Sequence, residues 1–82
     1  MSKKILRFSA TWCQPCKMLA KNLETAQLDI PVEYVDIDSN VTLTDDYGIR
    51  GVPTLVLLDG GKEVSRLVGV KTADELKAWA SQ

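Results

Sequence analysis

The chain has 82 residues, enough for one domain with a modest core, and 45% of them are hydrophobic, so such a core can form. A formal net charge of −1 leaves no basic footprint for nucleic acid or an anionic membrane surface. With no histidine, the commonest general base and metal ligand are missing, together with any Ser-His or Cys-His catalytic pair.

Met1-Ser2-Lys3-Lys4 runs directly into Ile5-Leu6-Arg7-Phe8. That apolar run is too short for a signal peptide and is broken by Arg7. No stretch approaches the ~18 apolar residues of a membrane span, so a cytoplasmic protein is expected. Residues 4–10 read as a strand. Pro15 suits a first helical turn, where its missing N–H costs nothing, and Leu19, Leu23 and Ala26 recur at helical spacing, which predicts a helix over 14–28. Asp29-Ile30-Pro31 ends it. Val32, Tyr34, Val35 and Ile37 predict a second strand, and Asp38-Ser39-Asn40 offers an N-cap for a short helix reaching Tyr47. Thr54-Leu55-Val56-Leu57-Leu58 is a continuous apolar run, the pattern of a strand buried on both faces. Asp59-Gly60-Gly61-Lys62 reads as a hairpin turn into an alternating edge strand over 63–68. Thr72 is positioned to cap a last helix with Leu76 and Trp79 on its inner face. The predicted order is β-α-β-α-β-β-α in a single α/β domain over residues 1–82. The first crossover places its two strands parallel and adjacent, and a four-stranded mixed sheet flanked by three helices is the simplest closure.

The two cysteines, Cys13 and Cys16, are the only ones present and bracket Gln14-Pro15 at the start of the first predicted helix. Thiols three positions apart there lie close enough to form a small disulfide that opens and closes without refolding. A zinc site needs about four ligands, and without histidine or further cysteine one chain supplies too few soft ones. A Cys-x-x-Cys pair in a βαβ setting therefore reads as redox-active, with a metal or cluster bridging two chains as the remaining alternative.

The segment Phe8-Ser9-Ala10-Thr11-Trp12-Cys13-Gln14-Pro15-Cys16-Lys17-Met18 resembles the active-site segment of the thioredoxin family. Asp36-Ile37-Asp38 resembles a strand end of that family, and Tyr47-Gly48-Ile49-Arg50-Gly51-Val52-Pro53-Thr54-Leu55 its cis-proline segment. Asp59-Gly60-Gly61-Lys62 and Leu67-Val68-Gly69-Val70 are similar to its final hairpin. The resemblance covers almost the whole chain. It implies a short thioredoxin-like fold, because a thioredoxin normally carries a strand and a helix before the segment that begins here at Lys4.

The resemblance implies a protein-disulfide reductase with no resident cofactor and no metal. Cys13, at a helix N-terminus that favours an anion, is expected to be the exposed nucleophile, and Cys16 the largely buried resolving thiol. Trp12 is expected to shield the site from the surface. Pro53 is expected to be cis, with the backbone of Val52 pairing with the client chain as an added strand. Trp12, Gln14, Pro15, Gly51, Val52, Pro53, Gly69 and Val70 are the implied client-binding residues. Two departures stand out. Arg7 occupies the position where the family usually carries a buried aspartate, and Tyr34 that of the aspartate's lysine partner. Arg7 is therefore expected to cover the sheet with its aliphatic stem, or to reach solvent or Asp36. Gln14 replaces the usual glycine, a change expected to leave the potential in the reducing range.

The implied partners are disulfide-containing clients, ribonucleotide reductase among them, and an NADPH-dependent thioredoxin reductase, with the protein acting as a monomer. A glutathione-dependent glutaredoxin-like protein is the alternative. Short length and the missing aspartate favour it; Val52 rather than threonine before Pro53, and the lack of a glutathione-carboxylate site after Gly69, oppose it. A third reading is a binding subunit whose thiols are incidental.

Overall fold

The computed structural model describes residues 2–81. Four strands, β1 (Lys3–Ser9), β2 (Val32–Asp36), β3 (Thr54–Asp59) and β4 (Lys62–Val68), form one mixed sheet in the order β2-β1-β3-β4. β1 and β2 are parallel, β1 and β3 antiparallel, and β3 and β4 an antiparallel hairpin. Helices α1 (Gln14–Ala26), α2 (Val41–Asp46) and α3 (Ala73–Ala80) complete the predicted order.

Strand alternation sends side chains to two faces, and each face has its own core. Ile5, Leu55 and Leu57 pack beneath α1 and α3 with Leu19, Ala26, Leu76 and Trp79. Leu6, Phe8, Val35, Val56 and Leu58 form the opposite core, against which Leu43, Tyr47 and Ile49 pack from the α2 side. β3 is central and is buried from Thr54 through Leu58, as its unbroken apolar run requires. Trp79 is buried with its indole N–H donating to Ser65 Oγ at 2.8 Å, which pins α3 to β4.

Several element ends differ from the expected ones. α1 stops at Ala26 because Gln27 takes a left-handed conformation (φ 48°) and its N–H bonds Leu23. Asn40 precedes α2, but its side chain does not cap the helix; it donates to the Asp36 carbonyl at 3.0 Å instead. The alternation expected in β4 is interrupted by a register shift opposite Leu57 and Leu58, which leaves Val64 without a cross-strand partner and exposed. Thr72 caps α3 as expected. Its hydroxyl accepts from Glu75 N–H, and the Glu75 carboxylate accepts from Thr72 N–H at 2.9 Å, a reciprocal capping box.

Candidate active site

Cys13 is the N-cap of α1. Its extended backbone turns Sγ back over the first helical turn, where Sγ accepts the Cys16 N–H at 3.2 Å. Pro15 lies in that first turn, where a missing N–H leaves nothing unsatisfied. The two cysteines are joined by a disulfide, with their Cα atoms 5.3 Å apart. One free helix N–H and the positive end of the helix dipole thus point at the Cys13 sulfur, the arrangement that stabilises a thiolate when the bond opens.

Cys16 is buried, as expected, but Cys13 is not exposed: it is 4% accessible. The cause is its capping role. Serving as acceptor for the Cys16 N–H and bonded to the Cys16 sulfur, it is drawn inward. Ala10, Ile37 and Val52 pack around the pair, and the Val52 carbonyl oxygen lies 3.8 Å from Cys13 Sγ. Trp12 is the exposed member, 66% accessible, with its indole N–H donating to Asp38 Oδ2 at 2.9 Å. The Asp38 backbone N–H in turn donates to Asp36 Oδ1 at 2.9 Å. Asp38 is the positioning residue that sequence reasoning missed. The sequence marked it only as part of Asp36-Ile37-Asp38 and as a candidate cap in Asp38-Ser39-Asn40, and nothing there pairs it with a residue 26 positions away.

The Val52–Pro53 peptide is cis, as expected. Three sets of contacts fix the loop that carries it. Thr54 Oγ1 donates to the Gly51 carbonyl at 2.7 Å, and Gly69 N–H donates to the Pro53 carbonyl at 2.9 Å. At the far end Tyr47 stacks obliquely on Phe8, with centroids 5.7 Å apart, and its carbonyl accepts from Arg66 at 2.9 Å. Val52 packs directly on the cysteine pair, and Gly69 is tied to Pro53 through its N–H. Val70 lines a groove beside α1 together with Gln14 and Pro15, and Gly51 is exposed in the proline loop. Among the described residues no group of three or more His, Cys, Asp or Glu side chains is arranged to hold a metal ion.

A buried Cys-x-x-Cys disulfide at a helix N-terminus, beside a cis-proline loop, matches what comparison with known proteins finds. The family model described as Thioredoxin matches residues 1–82. The chain belongs to the thioredoxin family. It is 43% identical over 75 residues to a thioredoxin of Chlamydia trachomatis, covering 88% of this chain and 74% of that relative. It is 37% identical over 71 residues to a bifunctional thioredoxin reductase/thioredoxin of Mycobacterium leprae, covering 82% of this chain and 16% of that protein. A solved point-mutant thioredoxin from Halobacterium salinarum superposes with a TM-score of 0.90 at 41% identity, over 98% of this chain and 73% of that one. The chain is accordingly a thiol–disulfide oxidoreductase acting on disulfide-containing targets through its Cys-x-x-Cys pair.

Within this thioredoxin-family site the Arg7 position is unusual. Arg7 does not reach Asp36, whose carboxylate is taken by the turn N–H of Asp38. Its guanidinium carbon instead sits 4.7 Å from the ring centroid of Tyr34, its direct neighbour across the β1–β2 ladder. The contact is thus made by the guanidinium on the aromatic ring, at the β2 edge of the sheet, and not with Asp36. A small cavity of about 160 Å³ reaches from Arg7 and Tyr34 to Cys16, and no carboxylate lines it.

Proposed function

We propose that the protein reduces disulfides of client proteins, with Cys13 attacking and Cys16 resolving. The reading rests on one observation above all: Cys13 Sγ receives the Cys16 N–H at the start of α1, beside the Val52–Pro53 loop. The Cys13 thiolate attacks one client sulfur, and the other client sulfur leaves as a thiolate. The Cys16 thiolate then attacks Cys13 Sγ, the Cys13–Cys16 bond forms, and the second client thiolate departs. Two electrons pass from the pair to the client. Cys16 has no carboxylate in the cavity beside it, so its proton goes to water or to the departing client thiolate.

Trp12, Gln14, Pro15, Gly51, Val52, Gly69 and Val70 form the client-facing surface in this reading, with the buried Pro53 setting the course of the Val52 backbone through its cis peptide and that backbone lying alongside the client chain as an added strand. An NADPH-dependent thioredoxin reductase restores the dithiol; that the Mycobacterium leprae relative carries both names in one polypeptide supports this source of electrons. Ribonucleotide reductase is a fitting client, the compartment is the reducing cytoplasm, and the protein works as a monomer. The test is insulin reduction driven by NADPH with thioredoxin reductase and, separately, by NADPH with glutathione and its reductase. Turnover in the first system is expected. Turnover only with glutathione overturns the assignment of the electron donor, and a double cysteine variant that keeps all biological activity overturns the redox role itself.

A further inference from the structure

The redox site continues along the outer face of α1 into a groove of about 720 Å³ that runs from Gln14 and Pro15 past Met18 to Val70. Met18 is 59% accessible although it is a large apolar side chain on a helix. The far wall is fixed, because Asn22 Nδ2 donates to the Lys71 carbonyl at 2.9 Å and so ties α1 to the segment before α3. Lys17 and Lys21 stand one turn apart along this face, and both line the groove. Among the described residues neither ammonium group makes an ion pair or a hydrogen bond. No carboxylate lines the groove, and the one acidic residue of α1, Glu24, lines a different cavity on the other flank of the helix. A chain with net charge −1 thus presents an apolar strip edged by two unpaired cations, beginning at its dithiol.

We propose that this groove is a specificity surface for acidic client segments: a polypeptide flanking the target disulfide seats an apolar side chain on Met18 and Val70 and aligns carboxylates with Lys17 and Lys21. The proposal rests on the disulfide-reductase reading and names the client chemistry that reading leaves open. Charge complementarity selects the occupant. A basic segment meets two like charges, and a neutral one gains only the apolar contact. Two exposed ion pairs favour an acidic over a neutral segment by roughly two- to thirtyfold at low salt, and the advantage shrinks as ionic strength rises.

The test uses three synthetic peptides that share one intramolecular disulfide and one apolar residue and differ in a flanking segment that is Glu-rich, Ser-rich or Lys-rich. Each is mixed with the pre-reduced protein, and the second-order reduction rate is measured at low and high salt. The wild type is expected to prefer Glu-rich over Lys-rich peptide at low salt, Lys17→Gln/Lys21→Gln to lose the preference, and Lys17→Glu/Lys21→Glu to invert it. Because each protein supplies its own ratio, an altered potential or a smaller folded fraction does not imitate the result. Equal rates for the three peptides, or a preference that survives charge reversal, overturn the proposal. Fluorescence anisotropy of the same peptides with Ser in place of both Cys, titrated with oxidised protein, separates docking from chemistry: selective binding without reduction of any disulfide peptide removes the reductase reading and leaves the docking surface.

Discussion

Gly69 and Gly51 both border the active site, yet alanine is expected to move stability in opposite directions at the two. A Cβ built at either meets nothing within 4 Å, so neither substitution creates a clash, and the outcome depends on the backbone alone. Gly69 has φ +92°, a left-handed conformation in which an L side chain costs roughly 1–2 kcal/mol. Gly51 is not among the positive-φ glycines, so alanine there keeps its native conformation and gains roughly 0.4–1 kcal/mol by restricting the unfolded chain. For a domain of this size each kcal/mol moves Tm by about 4–8 °C, so the two variants are expected to fall on opposite sides of the wild type and to differ by roughly 6–24 °C. The assay is thermal and urea unfolding of the oxidised proteins, with m-values compared to confirm that the unfolded state is unchanged. The Gly69 N–H persists in the variant and still reaches the Pro53 carbonyl, so the rate of disulfide reduction is expected to fall less than stability does. Equal Tm shifts of the same sign would refute the backbone argument and imply that both positions act through contacts.

Thr72→Ala removes half of the α3 capping box and is expected to cost about 1 kcal/mol in urea denaturation. The Thr72 backbone N–H beside Glu75 holds that carboxyl below the ordinary carboxylate value, so its folded pKa is depressed. Its stabilisation is therefore present above the unfolded value of about 4.3 and is lost as pH falls through the folded one. The gap between wild type and Glu75→Gln in urea midpoint is expected to close on acidification, and a gap that stays constant down to strongly acidic pH contradicts the assignment. Asp38→Ala releases the Trp12 indole, and steady-state fluorescence anisotropy of a Trp79→Phe background is expected to fall while insulin reduction shows a raised KM; unchanged anisotropy removes Asp38 from its positioning role. Arg7→Ala removes the stack on Tyr34 and is expected to cost about 0.5–1 kcal/mol while leaving the resolving step at its wild-type rate in single-turnover reduction. A variant slowed only in that step shows that Arg7 assists deprotonation of Cys16.

The element order was legible because each element carries its own signal: Pro15 just inside a helix, an unbroken apolar run for the central strand, paired glycines at the hairpin, and a threonine placed to cap the last helix. The ends were less legible. Gln27 closes α1 in a left-handed conformation that glycine or asparagine would have advertised, and Asn40 spends its amide on Asp36 instead of on α2. The dithiol was plain from its spacing, whereas the cis peptide at Pro53 rested on resemblance, since a lone Val-Pro dipeptide carries no isomer signal of its own. Cys13 was misjudged because an attacking thiol at a helix N-terminus is expected to be open to its target. The N-cap position, by contrast, draws its side chain back over the first turn, and Ile37 and Val52 close over it from two segments distant in sequence. The same distance hid the bond from Trp12 to Asp38.

Why these segments meet follows from strand direction alone. β1 and β2 are parallel, β3 runs against β1, and β4 runs against β3, so the ends of β1, β2 and β4 and the beginning of β3 all lie at one edge of the sheet. Those four points release the dithiol loop, the Asp36–Asp38 turn, Gly69 and the cis-proline loop, and the tight turn at Gly60 and Gly61 falls at the opposite edge, where the Gly60 N–H bonds Ser2. The packing of Val52 on the cysteine pair requires segments 13–16 and 51–53 to be adjacent. Ala10 and the helix start carry the first from β1, and Thr54 Oγ1 with the Gly69 N–H anchors the second to β3 and β4, the neighbouring strands. The buried strands β1 and β3 form the rigid centre of this arrangement. The exposed edge at Tyr34 lies away from the Val52 loop, so the pairing of Arg7 with Tyr34 alters what borders Cys16 from behind without disturbing the face that meets a client.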